Sequence, residues 1–218
     1  LSKLVLAALF VVNPVWAKDA KYREFKTLDL QKTFETQQPW KVTAYQDVRV
    51  ADRLFDISTS SADWPEDVKL CFWHDEKAKL HQCVVLQSGE KEYHTRITHV
   101  KKFSLEQITS GPGAKYAVVL VGEAHYVSDS LFHVSVWAYN SSTEKFANIL
   151  APAIEFTLDG EFKFFPGIEG RGIAVGARST HDYENGETHF SRHRYKITVY
   201  QHRNIRYQRI GAYETTKK

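Results

Sequence analysis

Beyond residue 40, apolar positions gather in short runs: KVTAYQDVRV (41–50), AVVLVGEAHYV (117–127), LFHVSVWAY (131–139), GIAVGA (172–177) and RYKITVY (194–200). Each is rich in Val, Ile, Tyr, Phe or Trp, and clusters of Gly, Pro, Asn, Asp and Ser separate them. Branched and aromatic side chains suit a pleated surface, and the intervening residues supply the reversals, so the runs predict β-strands. Helix is expected only as a turn or two near LDLQKTFE (28–35) and SLEQI (104–108), where Ser104 and Gln107 have capping-box spacing.

The strand pattern repeats. At an offset of 64, LCFWHDEKAKLHQCVVL (70–86) matches VSVWAYNSSTEKFANIL (134–150), and at a further offset of 63 ITVYQHRNIRYQRIGAY (197–213) follows the same plan. Trp73, Trp137 and Tyr200 share one position; Leu70, Val134 and Ile197 share another. LFDISTSS (54–61), VVLVGEAH (118–125) and GIAVGARS (172–179) read as the strand before each hairpin. The plan predicts an antiparallel all-β fold of three units with four strands each, over 22–86, 87–150 and 151–213, within a single domain spanning 18–218. Leu70 and Phe72 occupy one hairpin face, Trp73 and Val85 the other, so the sheets need cover on both sides. Packed sheets in a sandwich and propeller-like blades in an open arc both satisfy this; a closed propeller normally takes at least four blades.

The segment LCFWHDEKAKLHQC (70–83) holds both cysteines and two of the ten histidines. In a hairpin centred on Lys77, opposed residue numbers add to 154, which places Cys71 opposite Cys83. Opposed residues at a non-hydrogen-bonded position have Cα atoms ~4.5 Å apart, within disulfide range. His81 shares the cysteine face, whereas His74 has the other parity, so four ligands do not converge on zinc. The expectation is a disulfide and no metal. Ser135 and Thr198 stand at the equivalent place in the other hairpins, so the bond is a local staple.

Lys3, the apolar run LVLAALFVV (4–12), Asn13-Pro14 and then Val15-Trp16-Ala17 follow the plan of a secretory signal peptide over 1–17. The expected location is outside the cytoplasm, periplasmic or extracellular, where paired thiols oxidise. No other run approaches the ~18 apolar residues of a membrane span.

At 218 residues, 43% hydrophobic and 13% aromatic, the chain has ample material for a core, and a net charge of +3 does not call for nucleic acid. Gly-x-Ser-x-Gly, His-Glu-x-x-His and Walker patterns are absent, and GIEGRG lacks the order of a dinucleotide loop, so no cofactor is expected. Glu66-Asp67 reads as a solvated turn.

Three places offer binding chemistry. Between Glu187 and Glu214 there is no acid, while Arg192, Arg194, Lys196, Arg203, Arg206 and Arg209 are present with His193 and His202 among them. Arg192, Arg194 and Lys196 alternate with His193, Tyr195 and Ile197, which predicts a basic strand face; cations on an edge strand also simply prevent edge pairing. Trp40 and Trp64, beside Pro39 and Pro65, suit loops that stack on sugar rings or cap a core. HDYENGETHFSRH (181–193) contains Asn185-Gly186, a type I′ turn signal. With opposed numbers adding to 371, Glu184 faces Glu187, Asp182 faces His189, Thr180 faces Ser191 and Arg178 faces His193. That ribbon is either a partner contact or a solvated hairpin. The sequence thus points to an exported β-repeat protein binding an anionic or glycan-type macromolecule or another protein. A secreted glycan hydrolase with a dispersed site is the alternative, and catalysis itself stays open.

Overall fold

The computed structural model describes residues 22–30, 40–47, 68–74, 79–86, 99–109, 115–126, 129–150, 154–156, 160–167, 170–178 and 192–216. Among these there is no helix, and the strands form three antiparallel sheets not closed into a barrel. The first holds β1 (Tyr22–Asp29), β2 (Trp40–Asp47), β3 (Lys69–His74) and β4 (Lys79–Val85), side by side in chain order. The second holds β5 (His99–Gln107), β6 (Tyr116–Tyr126), β7 (Asp129–Asn140) and β8 (Lys145–Asn148). A short β9 (Ile154–Phe156) also pairs with β7. The third holds β10 (Glu161–Pro166), β11 (Arg171–Arg178), β12 (Tyr195–Arg203) and β13 (Arg206–Glu214). The three four-stranded units predicted from the repeat are therefore present.

The sheets stack in series because the middle one is apolar on both faces. Along β6, Val118 and Leu120 point one way into a core shared with Val42, Leu70, Phe72 and Phe146; Ala117, Val119 and Val121 point the other way, into a core with Val134, Val136, Ile173 and Val175. Strand side chains alternate between faces, so one strand serves two cores. Calling the face toward the next sheet forward, Leu70 and Val134 are both forward and fully buried. Trp137 and Tyr200 point back toward the preceding sheet, and Trp73 lies on the face of the first sheet away from the first core. The aligned positions are thus equivalent in orientation as well as in sequence.

Side chains and close backbone contacts fasten the layers. The Gln82 amide donates to the Phe146 carbonyl (2.9 Å) and accepts from the Phe146 N–H (3.0 Å), serving as the missing neighbour of edge strand β8. Between the second and third sheets, Arg171 N–H donates to Ile108 O (2.7 Å) and Tyr207 N–H to Ile149 O (2.8 Å). Gly170 makes the first contact possible: its φ is 155°, and an added Cβ would lie 2.6 Å from Ile108 O. The Arg171 guanidinium also reaches Glu106 at 3.5 Å. Burial alone would raise the Glu106 pKa, but hydrogen bonds from Lys102 and Ser104 and the charges of Lys102 and Arg171 outweigh it and hold the carboxyl below its ordinary range.

The structure corrects several expectations. SLEQI is not helical: Ser104 to Gln107 lie in β5, paired with β6 from His99↔Glu123 to Gln107↔Tyr116. Ser104 Oγ donates to the Glu106 carboxylate (3.0 Å), so the cap geometry never forms. Leu28 and Asp29 belong to β1; residues 31–35 of that expected helical turn lie outside the described residues. The strand paired with β3 is β2, at Trp40–Asp47, and LFDISTSS (54–61) lies outside the described residues. Val85 is 41% exposed and does not help cover the second face of its hairpin.

Candidate functional site

The hairpin of β3 and β4 carries the disulfide. Cys71 faces Cys83 with Cα atoms 4.2 Å apart, and the two sulfurs are bonded. Up to Phe72↔Gln82 the paired numbers add to 154, but Trp73 faces Leu80, so His81 is an extra residue in a β-bulge. The bulge breaks the parity that would have kept His81 beside the cysteines. Instead, the His81 ring lies 5.4 Å from His74 and 4.4 Å from Trp40, and its Nε2 is 2.7 Å from the Glu144 carbonyl oxygen of the next sheet. Trp40 sits 4.1 Å from the His74 ring, with Tyr139 and Phe146 behind it. It opens β2 and is 3% exposed, so it caps the first core and is not presented to a sugar ring. Among the described residues no group of three or more His, Cys, Asp and Glu gathers around a metal position.

The basic C-terminal residues fall into separate groups. β12 starts only at Tyr195, so Arg192 and Arg194 precede the strand, and Lys196 alone of the expected stripe lies within it, opposite Ala177 and Glu214. Arg192 and Lys196 are exposed, Arg194 is half-buried, and His193 is buried. Arg178 is buried at the end of β11 and faces Tyr195, not His193; paired numbers in β11 and β12 add to 373, a two-residue difference from the expected register. Asp182, Glu184, Glu187, His189 and Trp64 lie outside the described residues.

The second basic group is at the far end of β12, roughly 25 Å away at ~3.3 Å per residue. Here the chain reverses through Asn204 and Ile205, and Asn204 takes φ 56°, a left-handed conformation that asparagine tolerates. The turn sets Arg203 directly opposite Arg206, both exposed, with Ile205 at the tip 65% exposed. Arg209 follows on the other face, opposite Tyr200. Burial raises the Tyr200 pKa, and the Arg209 charge works against that rise. Tyr207 anchors the hairpin at 3% exposure; burial pushes its phenol far up, and the Arg171 charge opposes it. His202 is buried against the Tyr207 ring at 5.3 Å, so it supports the hairpin and does not join the basic surface. Among the described residues no carboxylate is ion-paired with Arg203, Arg206 or Arg209.

Arginines directly opposed across a hairpin repel, at a cost of a few tenths of a kcal/mol to about 1 kcal/mol. An anion seated between them would convert that repulsion into two charge-assisted hydrogen-bonding forks. The sequence showed these arginines but not their opposition, which depends on the Asn204-Ile205 turn; Asn in a two-residue link was the available signal. Among the described residues no helix is long and apolar enough to cross a membrane. No family model matches the chain, and no curated protein or solved structure matches it.

Proposed function

We propose that this chain is an exported β-repeat binding protein that engages an anionic macromolecule, a charged glycan or an acidic protein surface, through the tip of its β12–β13 hairpin. One observation carries the reading: Arg203 faces Arg206 on an exposed turn, with no acid paired to either among the described residues. A rigid scaffold presents them, since Tyr207 is buried in the second core and its N–H is bonded to Ile149. Export is supported by the basic, apolar and helix-breaking order of residues 3–17 and is compatible with the Cys71–Cys83 disulfide.

Retention on immobilised heparin tests the proposal. The protein should be held at physiological salt and elute only above it, because screening must weaken the arginine contacts. Arg203→Glu with Arg206→Glu should elute near the void volume with an unchanged circular dichroism spectrum. Elution of the unmodified protein at the starting salt, or unchanged retention of the double variant, would overturn the reading.

A further inference from the structure

Tyr200 on β12 points into the second core, so Ile197, Val199, Gln201 and Arg203, of the other parity, lie on the opposite face of the third sheet. Along β10 and β11 that face is closed: Gly172 and Gly176 are buried, the first under the Phe165 ring. Gln201 is buried too, its amide donating to Gly170 O at 3.1 Å. The border along β13 is open. Partners across an antiparallel ladder share a face, and the pairs run Arg203↔Arg206, Gln201↔Gln208, Val199↔Gly211 and Ile197↔Tyr213. From the tip inward, β13 therefore presents Arg206, Gln208, Gly211 and Tyr213 on this side, all exposed, with Tyr213 at 58%. The row follows the length of β12 from Arg203 to Ile197, about 20 Å. Gly211 interrupts it without a local reason. A Cβ built there would meet no atom within 4 Å, its φ lies outside the left-handed region, and the unpaired residue of the neighbouring bulge is Ile210. A strand glycine that neither packing nor backbone calls for marks a place that another molecule approaches closely.

We propose that an anionic glycan chain, bearing sulfate or carboxylate groups, lies along this border of the third sheet. The inference rests on the anion-binding reading of the hairpin tip and names its ligand. One anionic substituent sits between Arg203 and Arg206, and the Gln208 amide exchanges hydrogen bonds with sugar hydroxyls as donor and acceptor. The chain then passes close over Gly211, and the Tyr213 ring stacks on the apolar face of a sugar. An acidic protein segment fits less well. It would add as a strand to the free edge of β13, and the bulge at Ile210 breaks the row of backbone groups that such pairing needs.

Calorimetric titration with a heparin oligosaccharide, and in parallel with poly-glutamate, tests the inference. Tyr213→Ala should weaken heparin-oligosaccharide binding about tenfold, and Gly211→Val, which fills the gap, at least as much. Neither variant should change the melting temperature, because one side chain is exposed and the other position is open. Neither should alter the response to poly-glutamate. Unchanged heparin-oligosaccharide affinity in both variants, with binding abolished by Arg203→Glu and Arg206→Glu together, would overturn the extended glycan site and leave the anion-binding tip standing. Equal weakening toward poly-glutamate would overturn the choice of a glycan, and no heparin-oligosaccharide binding by the unmodified protein would overturn both readings.

Discussion

Replacing Gln82 tests how the first two sheets are locked in register. Its amide satisfies both the N–H and the C=O of Phe146, at 3.0 and 2.9 Å, and Phe146 itself is 2% exposed in the first core. Gln82→Ala removes two hydrogen bonds, each worth about 0.5–1.5 kcal/mol net, and leaves two backbone groups poorly solvated; the expected loss is about 2–4 kcal/mol. Gln82→Glu retains the acceptor for the Phe146 N–H but sets a carboxylate oxygen against the carbonyl, so it should be no better than alanine despite its matching shape. For a chain of this size, each kcal/mol moves the melting temperature by about 2–4 °C, giving a drop of about 5–15 °C. Urea denaturation followed by circular dichroism measures both variants. If both lie within about 0.5 kcal/mol of the unmodified protein, the side-chain clasp does not hold the sheets together.

Reducing the Cys71–Cys83 bond, which closes a sequence separation of 12, should cost about 2–3 kcal/mol, visible as a lower urea midpoint in dithiothreitol that Cys71→Ala with Cys83→Ala reproduces. His133 is 3% exposed, and burial lowers its pKa to about 4. Above the unfolded value of about 6.5 neither state is protonated. As pH falls from there to about 4 the unfolded chain takes up a proton that the folded chain refuses, so stability should decline by about 3 kcal/mol, and His133→Gln should flatten that part of the urea-midpoint profile. Gly170→Ala places a Cβ against Ile108 O and should destabilise by about 1–3 kcal/mol, with faster hydrogen exchange at Arg171, whose N–H makes the adjoining bond.

Local rules made parts of this structure legible in the sequence. Parity across a hairpin places Cys71 opposite Cys83, and the shared positions of Trp73, Trp137 and Tyr200 mark the third strand of each sheet. What escaped depends on contacts between distant segments. His81 turns toward His74 because of a bulge, and one extra residue leaves no trace in a residue pattern. Ser104 and Gln107 carry a helix-start signal, but the pairing of eight β5 residues with β6 outweighs a local preference. Trp40 follows a proline, as a loop residue would, yet pairing Val42 with Phe72 carries it into the core. The basic stripe failed for a simpler reason: β12 starts at Tyr195, so alternation does not govern Arg192 and Arg194. The candidate site was legible as an acid-free composition, and its geometry came from one turn.

Hydrogen–deuterium exchange with and without a sulfated heparin oligosaccharide addresses the functional claim most directly. Slower exchange is expected in peptides covering Arg203–Arg209, at the β12–β13 tip, with unchanged exchange in β3 and β4. Binding that slows exchange elsewhere and leaves Arg203–Arg209 untouched would contradict it.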